Sequence, residues 1–474
     1  MKKENAEKTV PEARALRELK EALPDGRVIT DPSVIEGYRR DEAEWAQAGN
    51  PLAVVRPRTT AEVASVVRCC LAHGIAIVPR GGGSGVSGGA TASDGAIVLS
   101  LDAMDTIVEI DAAERLAVVQ PGVVNGDLRD ACAAQGLWYP PDPSSASWST
   151  IGGNVATNAG GICCAKYGVT RDYVLGMEIV NGLGEVVRLG RRTAKGVAGF
   201  DLCGLMVGSE GTLGVITEVT LRLRGARAPE RTVVGFFDSA VAAGEAVSAV
   251  IAAGVVPSAL ELLDHASLKA LDAVGGTDLA GEADTVLLGR TDASGAAGEA
   301  ESHAMLECFR NAGAGWADRS ADEAEAEALF QARREIYPAV DRIGAVLSED
   351  VCVPRGAVPA MLAAVTRTAA EHDLMIATVA HAADGNLHPL IVVPRGDDAA
   401  GARAQDAVEA IIGTALALGG TVTGEHGVGL LKKDGLAAEL GPASLAMHHA
   451  VKAALDPAGI FNPGKVLDTV PRRG

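Results

Sequence analysis

Pro79-Arg80-Gly81-Gly82-Gly83-Ser84-Gly85-Val86-Ser87-Gly88-Gly89 is the stretch on which the reading of this chain turns. It follows Gly74-Ile75-Ala76-Ile77-Val78, a short apolar run that reads as a buried strand. Six glycines in nine residues let the backbone turn tightly and approach a ligand closely. Free N–H groups in such a loop converge on anions, and a pyrophosphate is the natural guest. The stretch lacks the Gly-Lys-Ser/Thr ending of a Walker A loop. No helix-forming run opens straight after it, so the dinucleotide fingerprint is absent too.

Bulk properties narrow the class. The chain has 474 residues, too many for a single core, so two or three domains are expected. Its formal net charge is −19 and it has no basic run, which argues against nucleic acid as a partner. Met1-Lys2-Lys3-Glu4-Asn5 opens on charge and leads into no apolar stretch, unlike a secretory signal. No apolar run approaches the ~18 residues of a membrane span. The eight cysteines include the neighbours Cys69-Cys70 and Cys163-Cys164 but no Cys-x-x-Cys, so an iron–sulfur cluster held by this chain alone is not expected. A reduced, cytoplasmic chain is the simple reading.

The local patterns alternate between helix and strand. Residues 11–23 read as a helix, Ala53-Val54-Val55-Arg56-Pro57 as a strand, and Thr60-Ala61-Glu62-Val63 as a threonine-capped helix start. Strands are expected at 96–101 and 115–119, and a helix from about Gly122 to 135. Met177 to Asn181-Gly182 reads as a strand ending in an Asn-Gly turn, paired with Val186-Val187-Arg188-Leu189.

Two more glycine-rich segments follow the first. One is Pro140-Pro141-Asp142-Pro143-Ser144-Ser145, continued by Ser149-Thr150-Ile151-Gly152-Gly153-Asn154-Val155-Ala156-Thr157-Asn158-Ala159-Gly160-Gly161. The other is Val207-Gly208-Ser209-Glu210-Gly211-Thr212-Leu213-Gly214-Val215-Ile216. In this order and spacing the three resemble the PCMH-type FAD-binding domain of the vanillyl-alcohol-oxidase superfamily, in its branch of FAD-linked D-2-hydroxyacid dehydrogenases. The resemblance covers roughly residues 30 to 468. It implies an α+β protein: an N-terminal helical segment (1–45), an FAD-binding domain of two α/β subdomains (46–226), a ferredoxin-like α+β cap on the substrate side (227–420), and a C-terminal segment returning to the flavin (421–474).

It also implies cofactor contacts. Arg80, Gly81, Gly82, Gly83, Ser84 and Gly88 would wrap the pyrophosphate. Pro143, Ser144, Thr150, Gly152, Gly153, Ala156 and Gly160 would follow the cofactor toward its ring, Gly211, Gly214 and Ile216 would flank its adenosine end, and Asn462 would return to the flavin edge. Some members attach FAD through a histidine in the first loop. Ser84 stands at that place, so non-covalent FAD is expected.

A second constellation lies at Val379-Ala380-His381-Ala382-Ala383-Asp384-Gly385-Asn386-Leu387-His388. Asp-Gly between two β-prone runs signals a two-residue hairpin turn. With that turn, paired positions sum to 769, which sets His381 directly across from His388. Two imidazoles so placed can hold a divalent metal, with Glu425 of Thr423-Gly424-Glu425-His426-Gly427 as a third ligand. From spacing alone, a packed, hydrogen-bonded pair explains the histidines equally well. The resemblance favours the metal, zinc or manganese, and implies His426 as base and Arg333 as the partner of a substrate carboxylate. Its five-carbon-diacid members carry a lysine where this chain has Ser348, which points to a smaller acid such as glycolate or D-lactate. The expected activity is oxidation of a small D-2-hydroxy acid, with electrons passing to a quinone, a cytochrome or an iron–sulfur protein. A D-2-hydroxyglutarate dehydrogenase, or an FAD subunit that works only with an iron–sulfur partner, is the alternative. A homodimer and a position at the inner face of a membrane are compatible with either.

Overall fold

The run ahead of the glycine loop becomes the edge strand Ile77–Arg80 of a four-stranded sheet. The order is Val28–Ile29, Ala53–Val55, Ile97–Ser100, Ile77–Arg80, and the last three run parallel. The structure, a computed structural model, describes residues 10–276, 278–320 and 323–469. The charged opening, residues 1–9, lies outside the described residues, as do residues 470–474. The helices Val10–Ala22 and Thr60–His73 cover the sheet with Leu16, Leu19, Val63 and Val67. The cap of the second helix is Thr59 rather than Thr60: its side chain accepts from Glu62 N at 3.2 Å.

A second sheet is antiparallel throughout. Its five strands run Ile107–Asp111, Leu116–Val119, Val215–Arg222, Val174–Val180, Val186–Gly190 in spatial order. The last two do pair, but not through a two-residue Asn-Gly turn. Residues 181–185 form the loop, Gly184 carries the positive φ, and Asn181 Oδ1 accepts from Leu183 N and Glu185 N. Gly184 N also donates to Asn181 O at 3.0 Å and Asn181 N to Glu185 O at 3.0 Å, so the side chain adds to a backbone turn closed over 181–184. The helices Asn125–Ala133 and Ile151–Thr157 pack on this sheet through Leu128, Cys132, Ile151 and Val155.

Residues beyond 230 build an eight-stranded antiparallel sheet. Its centre is Thr285–Thr291, Ala259–Leu263, Met375–His381 and Asn386–Val393, side by side. Every residue of the strands Ala259–Leu263 and Asn386–Val393 is buried, because helices cover both faces. The C-terminal stretch then crosses back. Ile77 N donates to Ile460 O and Asn462 N to Ile77 O, which closes the open edge of the first sheet. Among the described residues no helix is long and apolar enough to cross a membrane.

The candidate active site

One cavity of about 530 Å³ runs from the glycine loop, between the two smaller sheets, to the centre of the large one. Arg80 to Ser84, Pro143, Ser144, Thr150, Gly152, Gly153, Ala156, Gly160, Gly211, Gly214 and Ile216 line it, and so do Arg333, His388, Glu425 and His426.

Close approach explains the glycines. A Cβ on Gly81 would lie 2.3 Å from Thr150 Oγ1, and one on Gly82 2.6 Å from Trp148 O. Gly83 adopts φ +83°. The loop is thus pressed against residues 148–150. Among the described residues, the amides of 82–87 find no protein oxygen to donate to. A row of donors without acceptors on the wall of a cavity suits an anionic guest, and the residues fit a pyrophosphate. Arg80 sits beneath the loop rather than reaching out of it. Its Nη1 donates to Arg40 O at 2.8 Å, and a Cβ on Gly83 would strike the guanidinium.

Two of the expected cofactor residues do not line the cavity. Gly88 has φ +85° and packs on Ala46 and Leu430. Asn462 is buried, and its Nδ2 donates to Gly89 O and Glu210 O. It ties the first and third glycine segments together from behind. Cys163 is buried, with its thiol donating to Pro140 O and Asp142 Oδ1 at 3.2 Å.

Beside the cavity the two histidines meet, though not in the expected register. His381 pairs with Asn386 and His388 with Val379, so paired positions sum to 767. Four residues, 382–385, make the turn. Ala382 N bonds Leu260 O of the neighbouring strand, and Val353 N bonds Gly385 O, so both ends of the turn are committed elsewhere. The shift is two residues, which preserves the face. The rings stand edge to face with centroids 5.1 Å apart.

His381 Nε2 and His388 Nε2 lie 3.3 and 3.2 Å from the same oxygen, Glu425 Oε1. Tetrahedral zinc with bonds of about 2.0–2.1 Å sets its ligand atoms roughly this far apart, so the donor set fits a divalent ion. Two buried carboxylates and the imidazoles also set one another's charge. Burial alone would raise the Glu425 carboxyl, yet the two imidazoles hold it well below the usual range. Glu261 is also held low, against burial, by His381 and Arg333. Burial opposes a charged His381 as well, but Glu261 and Glu425 lift it well above its ordinary value.

Three residues that the sequence reading passed over support this centre. Glu261 is fully buried in the strand Ala259–Leu263. Its Oε1 accepts from His381 Nδ1 at 2.7 Å and its Oε2 from Arg333 Nε at 2.9 Å. Asp350 Oδ2 accepts from Thr423 Oγ1, Glu425 N and His426 N. Glu210 accepts from Val428 N and Gly429 N, while Gly427 N bonds Thr423 Oγ1. Five consecutive amides, 425–429, are therefore held by side-chain oxygens, and this strap presents Glu425 and His426 to the cavity.

His426 stacks on His388 with centroids 4.9 Å apart. Burial pushes its imidazole down to about 4, against the pull of Asp350. Its side chain keeps 22% of its surface open, and it lines the cavity. Asp350 stays ionised: burial opposes this, but His426, Lys432 and His388 hold the carboxyl far below its ordinary value. Arg333, near the end of the helix Glu323–Arg334, reaches the cavity beside Tyr337 and Ser348.

Comparison with known proteins agrees with this layout. A family model described as "FAD binding domain" matches residues 51–190, and one described as "FAD linked oxidases, C-terminal domain" matches residues 227–466. The glycolate oxidase subunit GlcD of Bacillus subtilis (strain 168) is 40% identical over 418 residues, 88% of this chain and 89% of its own. D-2-hydroxyglutarate dehydrogenase of Stutzerimonas stutzeri (strain A1501) is 34% identical over 465 residues, 95% of this chain and 98% of its own. Among solved structures, p-cresol methylhydroxylase with substrate bound superposes with a TM-score of 0.81 at 19% identity, covering 97% of this chain and 98% of that one. That likeness concerns the fold.

Proposed function

Because this chain belongs to the FAD-linked oxidases and is a flavin-dependent oxidoreductase, we propose that it oxidises a small D-2-hydroxy acid of the glycolate or D-lactate type to the 2-oxo acid. The observation that carries the reading is the meeting of a guanidinium and a partly open imidazole in one cavity with a His₂Glu donor set, of which His388 and Glu425 line the same cavity. FAD, held along the glycine loop, would supply the two-electron oxidant for hydride loss from the substrate carbon.

The chain's own groups account for recognition and proton handling. Arg333 offers a planar fork to the carboxylate, pre-set by the bond from its Nε to Glu261. His426 is neutral at ordinary pH, with Nδ1 facing Asp350, so Nε2 on the opposite edge of the ring is free to take the hydroxyl proton. His381, His388 and Glu425 would hold a divalent ion, zinc or manganese, whose Lewis acidity lowers the pKa of a bound hydroxyl. That suits a base as weak as His426. Ser348 at the cavity wall brings no cation for a distal carboxylate, which favours a short acid.

Anaerobic mixing with D- and L-2-hydroxy acids tests this directly. Short D-acids should bleach the flavin absorbance. Bleaching by none of them, or by L-acids alone, would overturn the assignment. A second reading has support in the relatives named as oxidase subunits. In it, the chain reduces its flavin alone but passes electrons on only through an iron–sulfur partner. Bleaching without turnover on a soluble dye would favour that version.

A further inference from the structure

We propose that Glu261 is a positioning residue that couples the metal site to the carboxylate-binding arginine, fixing the His381 tautomer with one oxygen and the Arg333 fork with the other. The inference rests on the metal reading above and adds to it a group that touches neither metal nor substrate.

Geometry carries it. Glu261 has no exposed surface, and both of its oxygens are committed: Oε1 to His381 Nδ1 at 2.7 Å and Oε2 to Arg333 Nε at 2.9 Å. Its strand is otherwise apolar, Ala259-Leu260-Glu261-Leu262-Leu263. A carboxylate at such a position is tolerated only when hydrogen bonds and opposite charge satisfy it. The strand ladder pairs Glu261 with His381 itself, so the contact is fixed by the sheet and not by a flexible side chain. An ionised carboxylate only accepts hydrogen bonds, so His381 must donate from Nδ1. Nε2, the nitrogen beside Glu425 Oε1, is then the one that would give up its proton and lend a lone pair to an ion. Arg333 donates from Nε, which orients the plane of its guanidinium at the cavity wall. One rigid carboxylate therefore sets the distance and angle between the ion's ligand and the substrate's anchor. A chelating 2-hydroxy acid must satisfy both at once.

An amide at this position makes a sharp test. Glutamine has one acceptor oxygen where glutamate has two, so in Glu261→Gln the donors of His381 and Arg333 compete for it. If the NH₂ end faces His381, the tautomer reverses and Nε2 loses its lone pair. Removing Arg333 ends the competition. We therefore compare two double variants, neither of which leaves an unpaired buried arginine. In Glu261→Gln/Arg333→Met the amide oxygen is free for His381. In Glu261→Leu/Arg333→Met nothing accepts from His381.

The readouts are the Zn²⁺ dissociation constant, by competition with a chromophoric chelator on FAD-loaded protein, and the affinity for oxalate, by perturbation of the flavin spectrum. With the ~10–100-fold typical of losing such a ligand partner, the Leu/Met variant should bind Zn²⁺ that much more weakly than wild type, and the Gln/Met variant should stay near wild type. The single variant Glu261→Gln should fall between them. Arg333→Met alone should weaken oxalate while leaving Zn²⁺ affinity unchanged. Equal Zn²⁺ affinity in wild type, Gln/Met and Leu/Met, with FAD content and melting temperature intact, overturns the role of Glu261 and spares the metal site. Wild-type protein that takes up no Zn²⁺ overturns the metal reading itself, and Glu261 would then be an internal counter-ion.

Discussion

His388 and His426 lie face to face, yet they are expected to fail differently when removed. His388 shares an oxygen of Glu425 with His381, whereas His426 turns its Nδ1 toward Asp350. His388→Ala should lose the metal by elemental analysis. His426→Ala should keep it, while flavin reduction slows by roughly the 10²–10⁴-fold expected for loss of a general base. Both should keep FAD, since neither imidazole belongs to the glycine loop of Arg80 to Ser84 that offers its free amides to the cofactor. A His388→Ala protein that reduces its flavin at the normal rate in the presence of a chelator would make the pair structural. Ser84 supports another single-residue outcome. It offers no imidazole for covalent attachment, so acid precipitation should leave a yellow supernatant, and flavin retained in the pellet would contradict that.

At the scale of elements, the strap 423–429 is held by two carboxylates from distant parts of the chain. Asp350 places three bonds on a single oxygen, Oδ2. Asparagine can put its amide oxygen there, but alanine cannot. Asp350→Ala should therefore melt well below Asp350→Asn, because each buried donor left unpaired costs about 1–3 kcal/mol. Equal melting temperatures would mean that Asp350 does not hold the strap. Glu210 adds a dependence on pH. Burial raises its carboxyl from the ordinary 4.5 to about 7, against the two amides that favour its charged form. A group raised on folding stabilises fully below its unfolded value, and that contribution is lost as pH rises through the folded one. The stability of wild type relative to Glu210→Gln should therefore decline from about pH 5 to about pH 7, read as denaturation midpoints. A constant gap would show that Glu210 does not titrate in this window.

The elements also show what the sequence made legible. The glycine loop was readable because only glycine fits where the backbone meets Thr150 and Trp148. The histidine pair was readable because a strand's period of two survives a register error of two; the turn itself, Ala382 to Gly385, was misread because its hydrogen bonds go to residues 260 and 353. Gly88 and Asn462 were placed against the cofactor on likeness alone, and they brace the loop from behind. Glu261 stands 120 residues from His381, so no local spacing links them. The available signal was an acid in the middle of an apolar strand, which has to be paired with something.

Over the whole molecule, the eight-stranded part beyond residue 230 is joined to the residues before it by partly buried polar ties as well as by the cavity. Asp292 accepts from Lys166 Nζ and Tyr167 OH, and Trp45 Nε1 donates to Val346 O at 3.1 Å. If these ties hold the two halves in one arrangement, the pure chain should bleach with substrate and reduce an artificial dye without any partner. Dye reduction that appears only when an iron–sulfur protein is added would assign the chain to an assembly.

The ligands of the proposed metal belong to two kinds of backbone. His381 and His388 sit on central strands whose amides are locked in sheet ladders, whereas Glu425 hangs on amides bonded only to side chains. Amide deuterium exchange reads that difference. Strand amides should exchange slowly whether or not an ion is present, and those of 425–429 should exchange quickly until one arrives. Metal loading would then register as slowed exchange in a single short peptide, so the ion would close the site much as a bolt closes a hinged plate, with the sheet as the fixed frame.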